Sequence, residues 1–314
     1  MTFAFTFPGQ GSQSVGMGRS LHDAYPAAAR VFEEVDEALG EKLSALVFDG
    51  PEEALRLTAN TQPALMAVSL AAMRALEAEG VRLADARLVA GHSLGEYSAL
   101  AAAGALTISD AARLLRLRGE AMQTAVPAGE GAMAALLGLD LEAAEEVARL
   151  AAEGEVCDVA NDNAPGQVVV SGSLAAVERA VVIAKEKGAK RPMLLPVSAP
   201  FHCALMAPAA EAMADALGTV DLKPPAVPVL ANVSLELLTD PSAIKASLVR
   251  QVTERVRWRE SVAAFAAHGV TQSAEIGAGK VLTGLAKRID KALETSVVNS
   301  ADDVKRFAEL WVAA

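Results

Sequence analysis

The chain has almost no cysteine, little positive charge and no long apolar run, and each shortage excludes something. Cys157 and Cys203 are the only cysteines among 314 residues. Two thiols make neither a disulfide framework nor a thiolate metal site, so both read as small packed residues. No apolar run approaches the roughly 20 residues that a membrane-spanning helix needs. The net charge of −11 argues against nucleic acid as the main partner. Nucleotide loops are absent too. Gly9-Gln10-Gly11 is not followed by Gly-Lys-Ser/Thr, Ser14 stands where a third glycine would complete a dinucleotide loop, and Gly277-Ala278-Gly279-Lys280 also fails the phosphate-loop pattern. Met1-Thr2-Phe3-Ala4-Phe5 shows no basic start and no cleavable signal pattern, so a cytoplasmic location is expected. No metal and no cofactor is expected either.

What is present is a chain that is 52% hydrophobic, enough to bury a sizeable core. Residues 2–7 alternate with period two and read as a strand, followed by a turn-rich loop over 8–13. Helical patterns follow around 20–39, 51–57 and 62–79, then a strand at 86–90 and helices over 96–103 and 109–124. From 129 the order becomes strand 132–137, helix 141–153, strands 156–160 and 167–171, helix 174–187 and strand 190–197. That βαββαβ order is the ferredoxin-like unit. Residues 129–197 therefore read as a small domain inserted into a discontinuous α/β domain of residues 1–128 and 198–314. After it, strands at 227–230, 273–276 and 296–298 alternate with helices at 204–217, 242–252, 257–268, 280–293 and 302–312. Such alternation favours a mostly parallel sheet covered on both faces.

One motif carries chemistry. Gly91-His92-Ser93-Leu94-Gly95 matches Gly-x-Ser-x-Gly, with a short apolar strand before it and a helix after it. Strand, sharp turn and helix are the context that makes this pattern a nucleophile elbow rather than an ordinary turn. The two glycines leave room for the turn, and the helix directs amide groups at the place where a carbonyl oxygen would gain charge. A serine hydroxyl needs a base. Of the four histidines, His92 is expected to point away from the attack side, while His22 and His268 lie in or beside polar helical stretches and read as surface residues. His202 sits in a loop at the domain junction, where it can face a cleft, and is the base of choice. Its orienting partner is open: Asp158 and Asp162 are candidates, and a backbone carbonyl could serve instead.

Arg118 is the clue to the substrate. Leu114, Arg118 and Met122 share one helix face, whereas Arg113 and Arg116 share another that suits solvent. A guanidinium on an apolar stripe needs an anion or several acceptors. It could grip a substrate carboxylate in two places, form an internal salt bridge, or snorkel. The amides of Gln10 and Leu94 could form an oxyanion hole, or the Gly9-Gln10-Gly11 loop could be a plain turn.

These residues, together with Phe7-Pro8-Gly9-Gln10-Gly11-Ser12-Gln13, Met122-Gln123, Asn163-Ala164-Pro165-Gly166-Gln167 and His202-Cys203-Ala204-Leu205-Met206, make the chain similar to the malonyl-CoA:acyl-carrier-protein transacylases. The motifs run through nearly the whole chain in that family's order. The resemblance implies a hydrolase-like α/β core with a ferredoxin-like insertion. It implies Ser93 as the acylated nucleophile, His202 as its base, Arg118 on the malonyl carboxylate, and the Gln10 and Leu94 amides on the oxyanion. It further implies that the main-chain carbonyl of Gln251 orients the histidine and that Asn161 lines the cleft. Phe201 before the histidine implies malonyl rather than methylmalonyl. Ala164 departs from the serine common in the family. The implied activity moves the malonyl group from malonyl-CoA to the phosphopantetheine thiol of acyl carrier protein through a malonyl-serine, supplying fatty-acid elongation. The alternatives are a serine esterase or thioesterase, with water as acceptor, and a non-catalytic acyl-binding module. A monomer is expected, because no coiled coil or extra hydrophobic stripe asks for a partner. Carrier proteins are acidic like this chain, so docking calls for a local basic patch, with Lys185, Lys187, Lys190 and Arg191, or Lys280, Lys287 and Arg288, as candidates.

Overall fold

The computed structural model describes residues 2–312. Among these, the strands are β1 Phe3–Phe7, β2 Leu88–Gly91, β3 Gly131–Leu137, β4 Cys157–Ala164, β5 Gln167–Ser173, β6 Arg191–Leu194, β7 Val229–Leu230, β8 Leu237–Leu238, β9 Gln272–Ile276 and β10 Glu294–Val298. They form two sheets. The larger has the order β10-β9-β1-β2-β7-β8 and is parallel except for the β7–β8 pair. The smaller is antiparallel, in the order β4-β5-β3-β6.

Every residue of β1 is buried, as expected of a central parallel strand covered on both faces. Its period-two pattern sorts the cover. Phe3 and Phe5 point to one face, where they meet Phe307 and Trp311 of the helix Ala301–Val312. Ala4 belongs to a second cluster with Trp258, Val262, Phe265, Leu282 and Leu285. On the small sheet, the helices Leu141–Ala152 and Leu174–Glu186 pack over Ala134, Leu136, Val168 and Val170. Met133 and Val169, the alternate positions of the same strands, join the main core instead. The small sheet therefore turns its other face toward the large one. Two hydrogen bonds tie its edge strand β4 to the segment before Trp258: Val256 N donates to Ala160 O at 2.9 Å and Asp162 N to Val256 O at 3.0 Å. No helix among the described residues is long and apolar enough to cross a membrane.

The helical pattern over 20–39 is two helices, Arg19–Ala24 and Pro26–Leu39. Pro26 explains the break: it pushes Tyr25 into an extended conformation and opens a new helix at its first position. Two short elements carry no sequence signal of their own, the helix Leu43–Asp49 and strand β8. Strand β6 stops at Leu194, short of the expected 197.

Register brings the site together. In the β1–β2 pair, Phe7 lies opposite Gly91, so both strands end at the same level. The loop carrying Gln10 and the turn carrying Ser93 therefore leave the sheet side by side, at the carboxyl ends of parallel strands where open α/β sheets bind ligands. His92 N donates to Phe7 O at 3.0 Å and seals the two turns.

Candidate active site

Ser93 sits at the apex of a tight turn with φ of 53°, a left-handed conformation that costs a non-glycine residue energy. The flanking glycines make the turn possible. A Cβ on Gly91 would lie 1.9 Å from the Gly95 carbonyl oxygen, and one on Gly95 would lie 2.2 Å from Phe7 O. Asn232, just beyond β7, holds the turn from outside: Ser93 N donates to its Oδ1 at 2.8 Å, and its Nδ2 donates to Gly91 O at 2.7 Å. The helix Gly95–Ala102 begins at once, with Leu94 already in helical conformation. Among the described residues, neither the Gln10 nor the Leu94 amide donates to a protein acceptor. Both remain available for a bound oxyanion.

Ser93 Oγ lies 2.8 Å from His202 Nε2. His202 Nδ1 lies 2.8 Å from the Gln251 main-chain oxygen. A carbonyl can only accept, so Nδ1 carries the proton and Nε2 is left as the acceptor for the serine hydroxyl. Burial, and after it the Arg118 guanidinium, lowers the His202 pKa to about 3, so the ring is neutral at pH 7. The carboxylate candidates for orienting it are committed elsewhere. Asp158 accepts from Ala204 N at 2.9 Å, and Asp162 pairs with Arg259 at 2.8 Å. One expectation about histidine needs correction. The His92 ring lines the same cleft as Ser93 instead of pointing away, although its Nε2 contacts Asn163 Oδ1 at 2.8 Å and not the serine. The main-chain oxygen of His92 and its Nδ1 also crowd Gly9, where a Cβ would lie 2.6 Å and 2.9 Å from them.

Arg118 is 1% exposed, which leaves no path for snorkelling to solvent. Among the described residues, no carboxylate lies within ion-pair distance of it. Its partners are neutral oxygens: Nη1 donates to Gln62 Oε1 at 2.7 Å, and Nη2 donates to Gln251 Oε1 at 2.9 Å and to Ser93 Oγ at 3.2 Å. Its guanidinium stands 5.7 Å over the Tyr97 ring. A guanidinium held beside a serine nucleophile with no direct counter-ion is a built anion site. Gly119 lets its helix come close, since a Cβ there would meet Ala59 Cα at 2.5 Å. A polar chain then runs from Arg118 to the loop of Gln10: Gln62 Nε2 donates to Thr58 Oγ1 at 3.0 Å, and Thr58 Oγ1 donates to Gln10 Oε1 at 2.9 Å. Arg116, expected to face solvent, is tied to Asn60 and Glu41.

These groups open onto a cleft of about 460 Å³. Gln10, Ser93, Leu94, Arg118, Asn161, Phe201 and His202 all line it, with Met133 and Val169 from the small sheet on the far wall. The cleft brings together every expected site residue except Gln251, which lies buried behind His202 and Arg118. Gln62, Glu96 and Asn232 are the members that the sequence reading missed. Asn232 had one usable signal, a polar side chain directly after a strand end. Of the two basic patches, each has a member engaged with the protein itself: Lys187 pairs with Glu146 at 2.9 Å, and Arg288 donates to Gln167 and Pro165 O. Both thiols are buried, and burial pushes Cys157 up to about 12 and Cys203 to about 11.

Fold and site define an acyltransferase, and the family model described as acyl transferase domain matches residues 4–309. The malonyl CoA-acyl carrier protein transacylase of Bacillus subtilis is 49% identical over 303 residues, covering 96% of this chain and 95% of its own. The acyl-carrier-protein S-malonyltransferase from Bartonella henselae superposes with a TM-score of 0.97 at 55% identity, over 99% of this chain and 100% of the other. A malonyl-transacylase solved in complex with its type II PKS acyl-carrier protein gives 0.96 at 45% identity, over 99% and 100%. The chain belongs to the malonyl CoA-acyl carrier protein transacylase family.

Proposed function

We propose that this protein transfers the malonyl group from malonyl-CoA to the phosphopantetheine thiol of acyl carrier protein, by way of a malonyl ester on Ser93. The observation that carries the reading is the joint placement of a hydrogen-bonded serine–imidazole pair, at 2.8 Å, and a buried guanidinium 3.2 Å from the same hydroxyl. The pair makes a nucleophile, and the guanidinium selects an acyl group that ends in a carboxylate.

The residues act in sequence. Ser93 Oγ attacks the thioester carbonyl while His202 Nε2 takes its proton. The tetrahedral oxyanion is held by the Gln10 and Leu94 amides, each typically worth roughly 2.7–4 kcal/mol in the barrier. The C–S bond breaks, and CoA leaves as a thiol with the proton from His202. The carrier thiol then gives its proton to His202 and attacks the malonyl-serine ester. Collapse returns the proton to Ser93 Oγ and releases malonyl-carrier protein. Kinetics of this kind are ping-pong. Phe201 narrows the pocket toward malonyl, and Asn161 forms part of the wall on the small-sheet side. Residues 129–197 serve as a small domain that closes the cleft formed with 1–128 and 198–314. A monomer working in the cytoplasm completes the reading.

Intact-protein mass measurement after exposure to malonyl-CoA tests this reading. The expected result is a gain of one malonyl group, absent in Ser93→Ala and discharged by the carrier protein. Discharge by water as fast as by carrier would make the protein a thioesterase. No adduct at all would leave an acyl-binding module.

A further inference from the structure

Arg118 has an indirect counter-ion. Among the described residues, the one carboxylate tied into its hydrogen-bond network is Glu96, buried in the first turn of the helix Gly95–Ala102. The connection runs through the side chain of Gln251. Arg118 Nη2 donates to Gln251 Oε1 at 2.9 Å, and Gln251 Nε2 donates to Glu96 Oε2 at 2.8 Å. The amide orientation is not free. Gln251 Nε2 also reaches Ser93 O at 3.1 Å and Asn232 Oδ1 at 3.4 Å, so the nitrogen sits among acceptors and the oxygen must face the guanidinium. Asn232 N donates to the same Glu96 oxygen, Oε2, at 3.2 Å. Both donors thus converge on one oxygen, and Oε1 is left to carry a proton.

We infer that Glu96 is the relayed counter-ion of Arg118, and that it takes up a proton from solvent when a substrate carboxylate binds the guanidinium. The inference rests on the assignment of Arg118 to the malonyl carboxylate. Its logic is charge balance in a buried place. Without acyl group, one guanidinium faces one carboxylate across an amide. With malonyl bound, one guanidinium faces two carboxylates, and an uncompensated buried charge is costly. A proton on Glu96 Oε1 restores the balance and leaves every hydrogen bond to Oε2 in place. Glu96 is suited to this. Burial raises its pKa to about 7, against the opposing pull of Gln251, the Asn232 amide and Arg118. The titratable groups facing it are Arg118, from the helix Ile108–Thr124, and Tyr97 beside it on its own helix. His202, on the far side of Gln251, stays neutral with a pKa of about 3. Glu96 would be a positioning residue, acting on substrate only through Gln251 and Arg118.

The sign follows by linkage. Below pH 7 Glu96 already holds its proton, and malonyl-CoA binds without further cost. Above it each binding event must capture a proton, so Kd climbs by up to tenfold per pH unit. With a free-state pKa of about 7, Kd rises about tenfold from pH 6 to pH 8. Acetyl-CoA carries the same CoA phosphates and no acyl carboxylate, so it cancels every other titration. The test uses the full-length Ser93→Ala protein, which cannot be acylated, and calorimetry with malonyl-CoA and acetyl-CoA in buffers of different ionisation enthalpy. The expected result is a malonyl-to-acetyl Kd ratio rising about tenfold across that range, with one more proton taken up for malonyl at pH 8. In Ser93→Ala/Glu96→Gln, which keeps the acceptor but holds no negative charge, the ratio becomes flat and the extra proton is lost. An unaltered ratio and proton count in the double variant would overturn the inference. A new protonated-carboxyl band in the infrared difference spectrum on malonyl-CoA binding, with Glu96 intact, reads the same event without that substitution, and its absence counts against it. Failure of the parent reading looks different: Arg118→Ala would then leave the malonyl-to-acetyl ratio where it was.

Discussion

Arg118→Ala is the substitution that most directly tests how the site chooses its acyl group. The guanidinium makes three hydrogen bonds, to Gln62, Gln251 and Ser93, at 2.7–3.2 Å. Truncation removes all three and leaves two buried amide oxygens without a donor. That part of the damage is independent of the acyl group, and each orphaned group costs about 1–3 kcal/mol. The malonyl carboxylate loses a further contact that acetyl never has. Truncating one partner of a buried, hydrogen-bonded charge pair costs about 2–5 kcal/mol. At 1.4 kcal/mol per decade that is roughly 30- to 4,000-fold. The assay is kcat/KM for malonyl-CoA and for acetyl-CoA, each with carrier protein as acceptor, in the unsubstituted enzyme and in Arg118→Ala. Malonyl transfer should fall by at least about 30-fold more than acetyl transfer. Arg118→Lys, which keeps charge but not the planar fork, should fall between the two. Equal losses for both acyl groups would reduce Arg118 to a structural brace, and an unchanged malonyl rate would remove it from the site.

Four further outcomes rest on the same geometry. Because burial holds the His202 pKa down at about 3, kcat/KM should show no acid limb near the ordinary imidazole value of 6.5, and a limb there would mean that the ring is charged in the resting enzyme. The linked stability has a definite sign. The folded pKa is depressed, so the contribution is complete above pH 6.5 and is lost as pH falls toward 3, which denaturant midpoints across that window in the unsubstituted protein and His202→Ala would read. Gly119→Ala should destabilise by about 1–3 kcal/mol through overpacking against Ala59 and Thr58, and should raise the malonyl-CoA KM by displacing Arg118; an unmoved Tm refutes the close approach. Asn232→Ala should lower kcat more than it raises KM, because it releases the Ser93 amide and the Gly91 carbonyl; a loss confined to KM would contradict its role at the turn.

The parts of the site that could be read from the sequence are those whose cause is local. Ser93 was legible because a nucleophile elbow needs its glycines within two residues, and the contacts that a Cβ would make at Gly91 and Gly95 are made by that turn and the neighbouring strand. The buried face of Arg118 was legible from the spacing of Leu114 and Met122, both buried. The alternating strand at β1 and the βαββαβ run are local patterns as well, and their strands pair as the α/β reading expects. Partners are another matter. Gln62 is 56 positions from Arg118 and Asn232 is 139 from Ser93, and nothing in either local pattern names the other. The orienter of His202 was harder still. A main-chain carbonyl exists at every residue, so no residue type can mark it, and the two aspartates that did stand out are used by Ala204 and Arg259. Only the family resemblance pointed to Gln251.

Gln251 also ties together the groups proposed as base, nucleophile and acyl selector. Its main chain holds His202 Nδ1, its amide oxygen holds Arg118, and its amide nitrogen holds the Ser93 carbonyl and Glu96. The first of these survives any side-chain substitution, and the other three do not. The orientation of the base is therefore insulated from the identity of residue 251, while the charge environment of the acyl carboxylate depends on it. An enzyme that must keep one chemistry while choosing among acyl groups gains from that division. The proton-transfer geometry rests on backbone that every sequence variant retains, and selectivity rests on side chains that can change.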